Sequence, residues 1–146
     1  PSDLSGLNRY FISPLAVTLH ELMHYYSGNK TELPSSLEEA MTSYYGHSLL
    51  SGTKILKDLS LNLDNFKGYK DEEEIIEELA KEMLVGDLVT LYFSGNQARF
   101  TKIFEQKYAI LYKDFIDGLD KVFYASSAEE GKKFREEIIS KLKINK

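Results

Sequence analysis

Two histidines and a glutamate lie within five consecutive residues, in the segment His20-Glu21-Leu22-Met23-His24. On a helix, residues four apart lie one above the other, so His20 and His24 present two imidazoles on one face. Two imidazoles at this spacing can bind one zinc ion, and Glu21 lies near enough to reach a water molecule at the metal. The chain has only three histidines, and two of them have the spacing that a zinc site needs. The segment therefore predicts a zinc-binding helix.

The residues around the two histidines support this interpretation. Val17 precedes His20 by three residues, and the segment from Val17 to Tyr26 contains no proline. The flanking residues Thr18, Leu22, Met23 and Tyr25 are uncharged. The segment resembles the zinc-binding helix of the zincin metallopeptidases, and the resemblance extends over roughly residues 13–50. It implies a Zn²⁺ cofactor and a peptide or protein substrate. It also implies hydrolysis by a zinc-activated water, with Glu21 as the general base.

Two branches of the zincins do not match the sequence. One branch extends the motif with a glycine and a third histidine, but Ser27 and Lys30 occupy those positions. A second branch takes an aspartate from a Gly-Thr-x-Asp segment, whereas Gly52-Thr53 is followed here by Lys54-Ile55. The remaining branch, the gluzincins, takes its third ligand from a glutamate on a second helix.

The segment Leu37-Glu38-Glu39-Ala40 resembles this second gluzincin motif, in which the ligand precedes a small residue. Glu38 and Glu39 point about 100° apart on a helix, so only one of them can face the metal. The resemblance favours Glu39 as the third ligand. Glu78, in the acidic stretch of residues 73–82, is the fallback. Gluzincins commonly carry an acidic residue four positions after the ligand, and Ser43 stands there, so another group must orient the imidazole or the site is looser.

The resemblance further implies a tyrosine or histidine that stabilises the oxyanion of the tetrahedral intermediate. The sequence offers six candidates and does not choose among them: Tyr44, Tyr45, His47, Tyr92, Tyr108 and Tyr112.

A second hypothesis is a catalytically silent helical module that binds a partner. The missing acidic residue at position 43 favours this alternative, while the presence of Glu21 argues against it.

Composition restricts the remaining function classes. A net charge of −5 over 146 residues argues against nucleic acid as a partner, because nucleic-acid binding needs a basic surface. No apolar run is long enough to span a membrane. The chain has no cysteine, so histidines and carboxylates must hold any metal.

The apolar pattern predicts a mainly α fold. We expect a loop or short strand over residues 1–12, then the zinc helix from Ser13-Pro14 to about Ser27, ended by Gly28-Asn29. A second helix runs from Ser35-Ser36 to near Leu50, with a capping box of Ser36 with Glu39 or of Ser35 with Glu38. Residues 54–69 are predicted as a helix followed by an extended piece.

Three further helices are predicted from periodic apolar residues. The first begins at Asp71, with Glu74 completing a capping box, and continues past a kink at Gly86 to the turn Ser94-Gly95-Asn96. The second is one long helix with a buried stripe of Phe100, Phe104, Tyr108, Leu111, Phe115, Leu119 and Val122. The last helix is capped by Ser126 or Ser127, and its inner face is Phe134, Ile138 and Leu142.

These elements predict one domain over residues 1–146, with a zinc-binding core at 13–50 and a helical remainder at 71–146. The resemblance implies a β-sheet before the zinc helix, but only nineteen residues precede His20, and the first is Pro1. We therefore expect a helical gluzincin-like subdomain that lacks most of the upstream sheet, with a further N-terminal part in the same protein. Such a chain would bind zinc and be a weak peptidase on its own, because the edge of the sheet holds the peptide.

Overall fold

The computed structural model describes residues 4–27, 33–52 and 69–142, and it describes only the backbone of residues 4–13 and of Val85. The described residues form seven α-helices and no β-strand, which confirms the mainly α fold class. The helices are α1 (Leu4–Ser27), α2 (Ser35–Ser51), α3 (Lys70–Glu82), α4 (Val85–Ser94), α5 (Gln97–Lys107), α6 (Tyr112–Phe123) and α7 (Ala128–Lys141). In the described part of the chain, no helix combines the length and the apolar character needed to cross a membrane.

Helix α2 is the central element, because it packs against α1, α3 and α6. Since neighbours surround it, its small and polar side chains are buried along with its apolar ones. These buried residues are Ser36, Leu37, Ala40, Met41, Thr42, Ser43, Gly46 and Leu50. Helix α1 packs against α2 and α4. The two helices that carry the predicted zinc ligands are therefore direct neighbours.

Helices α6 and α7 approach each other closely at Gly118. A Cβ atom placed on Gly118 would lie 2.8 Å from Cγ1 of Ile138, which is buried on α7. Helix α7 in turn packs against α3, where Arg135 pairs with Asp71 and Glu74 at 2.7 Å each. These contacts hold the N-terminal end of α3, which supplies part of the site described below.

The predicted start of the first helix is wrong. Helix α1 begins at Leu4, not at Ser13, and Pro14 lies inside it. Proline keeps a helical φ angle, so it can lie inside a helix. The helix then lacks the hydrogen bond of the missing N–H, and the preceding turn must make room for the ring. Proline is common at helix starts, but Pro14 does not mark the start of α1. The end at Ser27 agrees with the prediction, and Gly28-Asn29 lies outside the described residues.

Both predicted capping boxes are wrong. Helix α2 has Pro34 at its N-cap and no side-chain cap, because the buried Ser36 donates its hydrogen bond to Asp120 on α6 at 2.5 Å. Helix α3 begins at Lys70, and Asp71 pairs with Arg135 of α7 without capping its own helix. Tertiary partners compete for these side chains, and the local pattern cannot reveal such partners. At α7 the cap is Ser127, which accepts a hydrogen bond from the N–H of Glu130 at 3.2 Å.

Two of the predicted long helices are each divided in two. The first ends at Glu82 and the backbone is extended at Met83 and Leu84, so the break lies before Gly86 and is not a kink at that glycine. The second ends at Lys107, and α6 restarts at Tyr112. The apolar period continues across both breaks, so it could not indicate them. Of the predicted stripe only Leu111 is exposed, at 60%. The prediction for 54–69 lies outside the described residues, except for Tyr69.

Candidate metal centre

The side chains of His20, His24 and Glu39 meet between α1 and α2. Nε2 of His20 lies 3.0 Å from Oε2 of Glu39, and Nε2 of His24 lies 3.3 Å from Oε1 of the same carboxylate. The two Nε2 atoms are 3.1 Å apart. Among the residues that the structure describes, these three form the group of possible ligands, with their donor atoms within 4.8 Å of one another. The i, i+4 spacing of the histidines and the crossing of α2 produce this convergence.

Glu38 contacts the opposite side of one imidazole. Its Oε1 accepts a hydrogen bond from Nδ1 of His24 at 3.2 Å. A neutral imidazole whose Nδ1 carries the proton has a lone pair on Nε2. For His24, this is the nitrogen that faces Glu39 and His20, so the tautomer is the one that binds a metal. Glu38 thereby orients an imidazole, the role for which the resemblance predicts an acidic residue at position 43.

The donor set fits a zinc ion. Two imidazole nitrogens and one carboxylate oxygen are the protein ligands of one type of catalytic zinc site. Donor atoms about 2.1 Å from a tetrahedral ion lie about 3.4 Å from one another. The observed separations of 3.0, 3.1 and 3.3 Å are slightly shorter, so a small outward shift of the side chains accommodates the ion.

A cleft of about 260 Å³ lies beside His20, one of the three candidate ligands. It is lined by Ala16, Val17, His20, Glu21, Ser43, His47 and Tyr69. The cleft combines a predicted ligand, the predicted general base and two groups that can donate hydrogen bonds, the imidazole of His47 and the phenol of Tyr69. A carboxylate that can accept a proton therefore faces the same space as two polar groups on other elements.

His47 is held by a buried carboxylate. Its Nδ1 lies 2.7 Å from Oε2 of Glu73, whose side chain is only 1% exposed. The other oxygen of Glu73 accepts a hydrogen bond from the hydroxyl of Ser43 at 2.5 Å. Glu73 belongs to the first turn of α3, where the helix dipole favours a negative charge. Because Nδ1 of His47 is occupied by Glu73, Nε2 is the nitrogen available for contacts in the cleft.

Tyr69, the N-cap residue of α3, lies against one of the candidate ligands. Its ring stacks on His20 with 5.9 Å between ring centroids and on Phe123 of α6 with 5.7 Å. Burial, followed by the negative charges of Glu39 and Glu72, raises the pKa of the Tyr69 phenol above its usual value. The phenol is therefore protonated at neutral pH and can donate a hydrogen bond.

The other predicted site residues lie elsewhere. Glu78, the fallback ligand, forms an ion pair with Lys81 on α3 and is not part of the ligand group. Of the six oxyanion candidates, only His47 lines the cleft. The remaining candidates pack in or against the hydrophobic core: Tyr44, Tyr45, Tyr92, Tyr108 and Tyr112.

Sequence reasoning missed three residues of this site. The sequence pattern indicates Glu38 as a rival ligand to Glu39 or a capping partner of Ser35, and Glu73 as one end of an acidic stretch, and it gives Tyr69 no role. For Glu38 a signal existed, because a carboxylate next to a ligand can reach an imidazole from its other side. Tyr69 and Glu73 reach the site through the packing of α3 on α2, which no local pattern predicts.

Searches against protein-family models, curated proteins and solved structures found no match to this chain.

Proposed function

We propose that this chain is a zinc-dependent metallopeptidase domain of gluzincin type. The observation that carries the proposal is the convergence of His20, His24 and Glu39 beside a cleft that Glu21 also lines. A zinc ion bound there supplies a Lewis acid that polarises a peptide carbonyl and makes a water molecule more acidic. His20, His24 and Glu39 are the ligands, and Glu38 keeps His24 in the correct tautomer.

The remaining groups of the cleft have separate roles. Glu21 accepts a proton from the attacking water and then delivers it to the leaving amine. The phenol of Tyr69 and, when protonated, Nε2 of His47 donate hydrogen bonds to the negative oxygen that develops on the scissile carbonyl. Glu73 is buried and bound to Nδ1 of His47, so it fixes the ring in one orientation. Stacking on His20 and Phe123 keeps Tyr69 over the site.

A second candidate is a catalytically silent zincin-like module that binds a partner. The observation that favours it is the set of exposed apolar side chains on α1, which are Leu15, Val17, Leu22, Tyr25 and Tyr26. Exposed apolar surface of this kind is common at protein interfaces. The two candidates differ in whether Glu21 has a measurable effect on peptide hydrolysis.

The test measures zinc content and peptide hydrolysis on the same samples. We expect about one equivalent of zinc in the wild type, none in Glu39→Ala, and an unchanged content in Glu78→Ala, the matched control on α3. Zinc should raise the melting temperature of the wild type and of Glu78→Ala but not that of Glu39→Ala, because a ligand that binds only the folded state stabilises it.

Glu21→Gln separates the peptidase from the silent module. This variant should keep the zinc and the melting temperature of the wild type but lose hydrolysis of a peptide mixture, since it removes a proton acceptor and no metal ligand. Equal hydrolysis by wild type and Glu21→Gln, or no hydrolysis by either, contradicts the peptidase function. Loss of zinc in Glu78→Ala but not in Glu39→Ala contradicts the ligand assignment.

A further inference from the structure

His20 is held in a different way from His24, the other imidazole of the candidate metal centre. Within the described part of the chain, the hydrogen bonds to the His20 ring end at Nε2, the nitrogen that would face the metal. The His24 ring is bound in addition at Nδ1, by Glu38. A hydrogen bond at Nε2 must give way when an ion binds there, so it cannot hold the ring for that ion. The contacts on the faces of the His20 ring are therefore the ones that can set its orientation.

Two aromatic side chains form a stack with His20. The ring of Tyr69 lies on the imidazole with 5.9 Å between centroids and 22° between planes. The ring of Phe123, the last residue of α6, lies on that of Tyr69 with 5.7 Å and 14°. Both separations are within the range of about 4.5–7 Å in which aromatic rings attract each other. Three nearly parallel rings, from α1, the N-cap of α3 and α6, thus form one aromatic stack.

The two supporting rings belong to elements that are fixed elsewhere. The carbonyl of Tyr69 accepts a hydrogen bond from the N–H of Glu73 at 2.9 Å, which holds its backbone at the first turn of α3. Phe123 lies in the last turn of α6, next to the buried Val122. Since α3 and α6 both pack against α2, the aromatic stack relates the His20 ring to the helix that carries Glu39.

We propose that Tyr69 is a positioning residue for the metal centre, whose ring keeps the His20 imidazole in the plane that directs Nε2 toward His24 and Glu39. Rotation of the imidazole out of this plane would lose the stacked contact. An imidazole that already has the binding orientation loses less freedom when the ion arrives, which raises the affinity. This role belongs to the ring of Tyr69 and is separate from that of its hydroxyl. The inference rests on the proposed function, because it concerns the affinity of the site for zinc.

The experiment measures zinc dissociation constants by competition with a chelator, on samples that circular dichroism shows to be folded. We expect Tyr69→Leu to weaken zinc binding about fivefold, the size expected for the loss of one aromatic pair. Tyr69→Phe keeps the ring and should bind zinc like the wild type. A weakening in Tyr69→Phe as large as that in Tyr69→Leu would overturn the role of the ring, because the hydroxyl would then be the group that matters.

Phe123 and Tyr124 provide a matched pair on α6. Phe123→Leu removes the ring that supports Tyr69 and should weaken zinc binding about threefold. Tyr124 follows Phe123, is 71% exposed and contacts its ring edge-on with 4.9 Å between centroids. Tyr124→Leu therefore removes a neighbouring ring from outside the aromatic stack and should leave the affinity unchanged. If Tyr69→Leu does not fold, this pair decides the matter, and equal affinities in Phe123→Leu and Tyr124→Leu overturn the role.

Two spectra provide readouts that general stability does not move. In the metal-free protein, a stacked ring shifts the proton NMR signals of the imidazole, so those of His20 should change in Tyr69→Leu and stay close to wild type in Tyr69→Phe. The visible bands of the Co²⁺-substituted protein depend on the arrangement of the ligands and should follow the same pattern. Equal zinc affinity and equal Co²⁺ spectra in Tyr69→Leu and wild type would overturn the positioning role and leave the zinc site intact. A wild type that binds no zinc would overturn the proposed function, and this inference with it.

Discussion

Glu38→Ala tests whether the orientation of His24 contributes to metal affinity. The substitution removes the carboxylate that holds Nδ1 of His24 and leaves all three proposed ligands in place. Without Glu38, the imidazole can rotate and can place its proton on Nε2, the nitrogen that faces Glu39. Either change must be reversed when zinc binds, so the affinity should fall.

The geometry indicates the size of the effect. Loss of a group that orients a ligand costs about 10-fold to 100-fold in metal affinity. The Nδ1 to Oε1 distance of 3.2 Å is at the long end for an N–H···O bond, and the side chains of His24 and Glu38 are 19% and 21% exposed. Water can therefore replace part of the lost contact. We expect about a tenfold loss, equivalent to about 1.4 kcal/mol.

The assay is competition with a chelator, with Glu38→Gln and Glu78→Ala measured beside Glu38→Ala. Glu38→Gln keeps an oxygen that can accept from Nδ1 but no charge, so its affinity should lie between those of wild type and Glu38→Ala. Glu78→Ala removes a carboxylate from α3 without touching the site and should have no effect. An affinity of Glu38→Ala within twofold of the wild type would refute the orienting role. A complete loss, like that expected for Glu39→Ala, would indicate that Glu38 is itself a ligand.

Three further predictions concern the cleft, the packing and alkaline stability. Tyr69→Phe keeps the stacked ring but loses the hydroxyl, so it should retain the zinc while hydrolysis of a peptide mixture falls by about 10²-fold. An unchanged rate of hydrolysis would exclude the phenol as an oxyanion donor. Gly118→Ala should lower the free energy of unfolding by about 1 kcal/mol in urea titrations, because overpacking against Ile138 outweighs the gain in helix propensity. Adding the substitution Ile138→Val should restore part of the loss. Burial raises the pKa of Tyr112 from 10.0 to about 12, so the folded state keeps this proton where the unfolded state loses it. The stability that depends on this proton is fully present below pH 10 and is lost as the pH rises from 10.0 to about 12. The denaturation midpoint should therefore fall over this pH range, and it should fall less in Tyr112→Phe.

The features of the site that depend on one helix could be predicted from the sequence. The spacing of His20 and His24 gives a shared face wherever the segment is helical, and Pro14 does not interfere because the helix runs through it. The resemblance to a second motif indicated Glu39, and the structure brings its carboxylate to the imidazoles. The mainly α class followed from apolar periodicity alone.

The features that depend on contacts between helices could not be predicted. Ser43 stands where the resemblance calls for an acid, and only the packing of α3 on α2 shows that it binds Glu73, the partner of His47. Ser36 looked like a helix cap because the local pattern contains no information about Asp120, which lies 84 residues further along the chain. The spacing of the apolar residues does not reveal the helix breaks around Met83 and Tyr108. Both residues are buried, as they would be in a continuous helix.

The unequal burial of α1 and α2 has a consequence for their local unfolding. Helix α2 is enclosed by three neighbours, so its amides should exchange with solvent mainly through global unfolding. Helix α1 packs against α2 and α4 and exposes Leu22, Tyr25 and Tyr26, so it can open on its own at a lower free energy. A zinc ion bound between them would link α1, which can unfold locally, to α2, which unfolds mainly with the whole domain. Hydrogen exchange should then slow in α1 when zinc is added and change little in α2, and metal affinity would include the free energy of holding α1 closed.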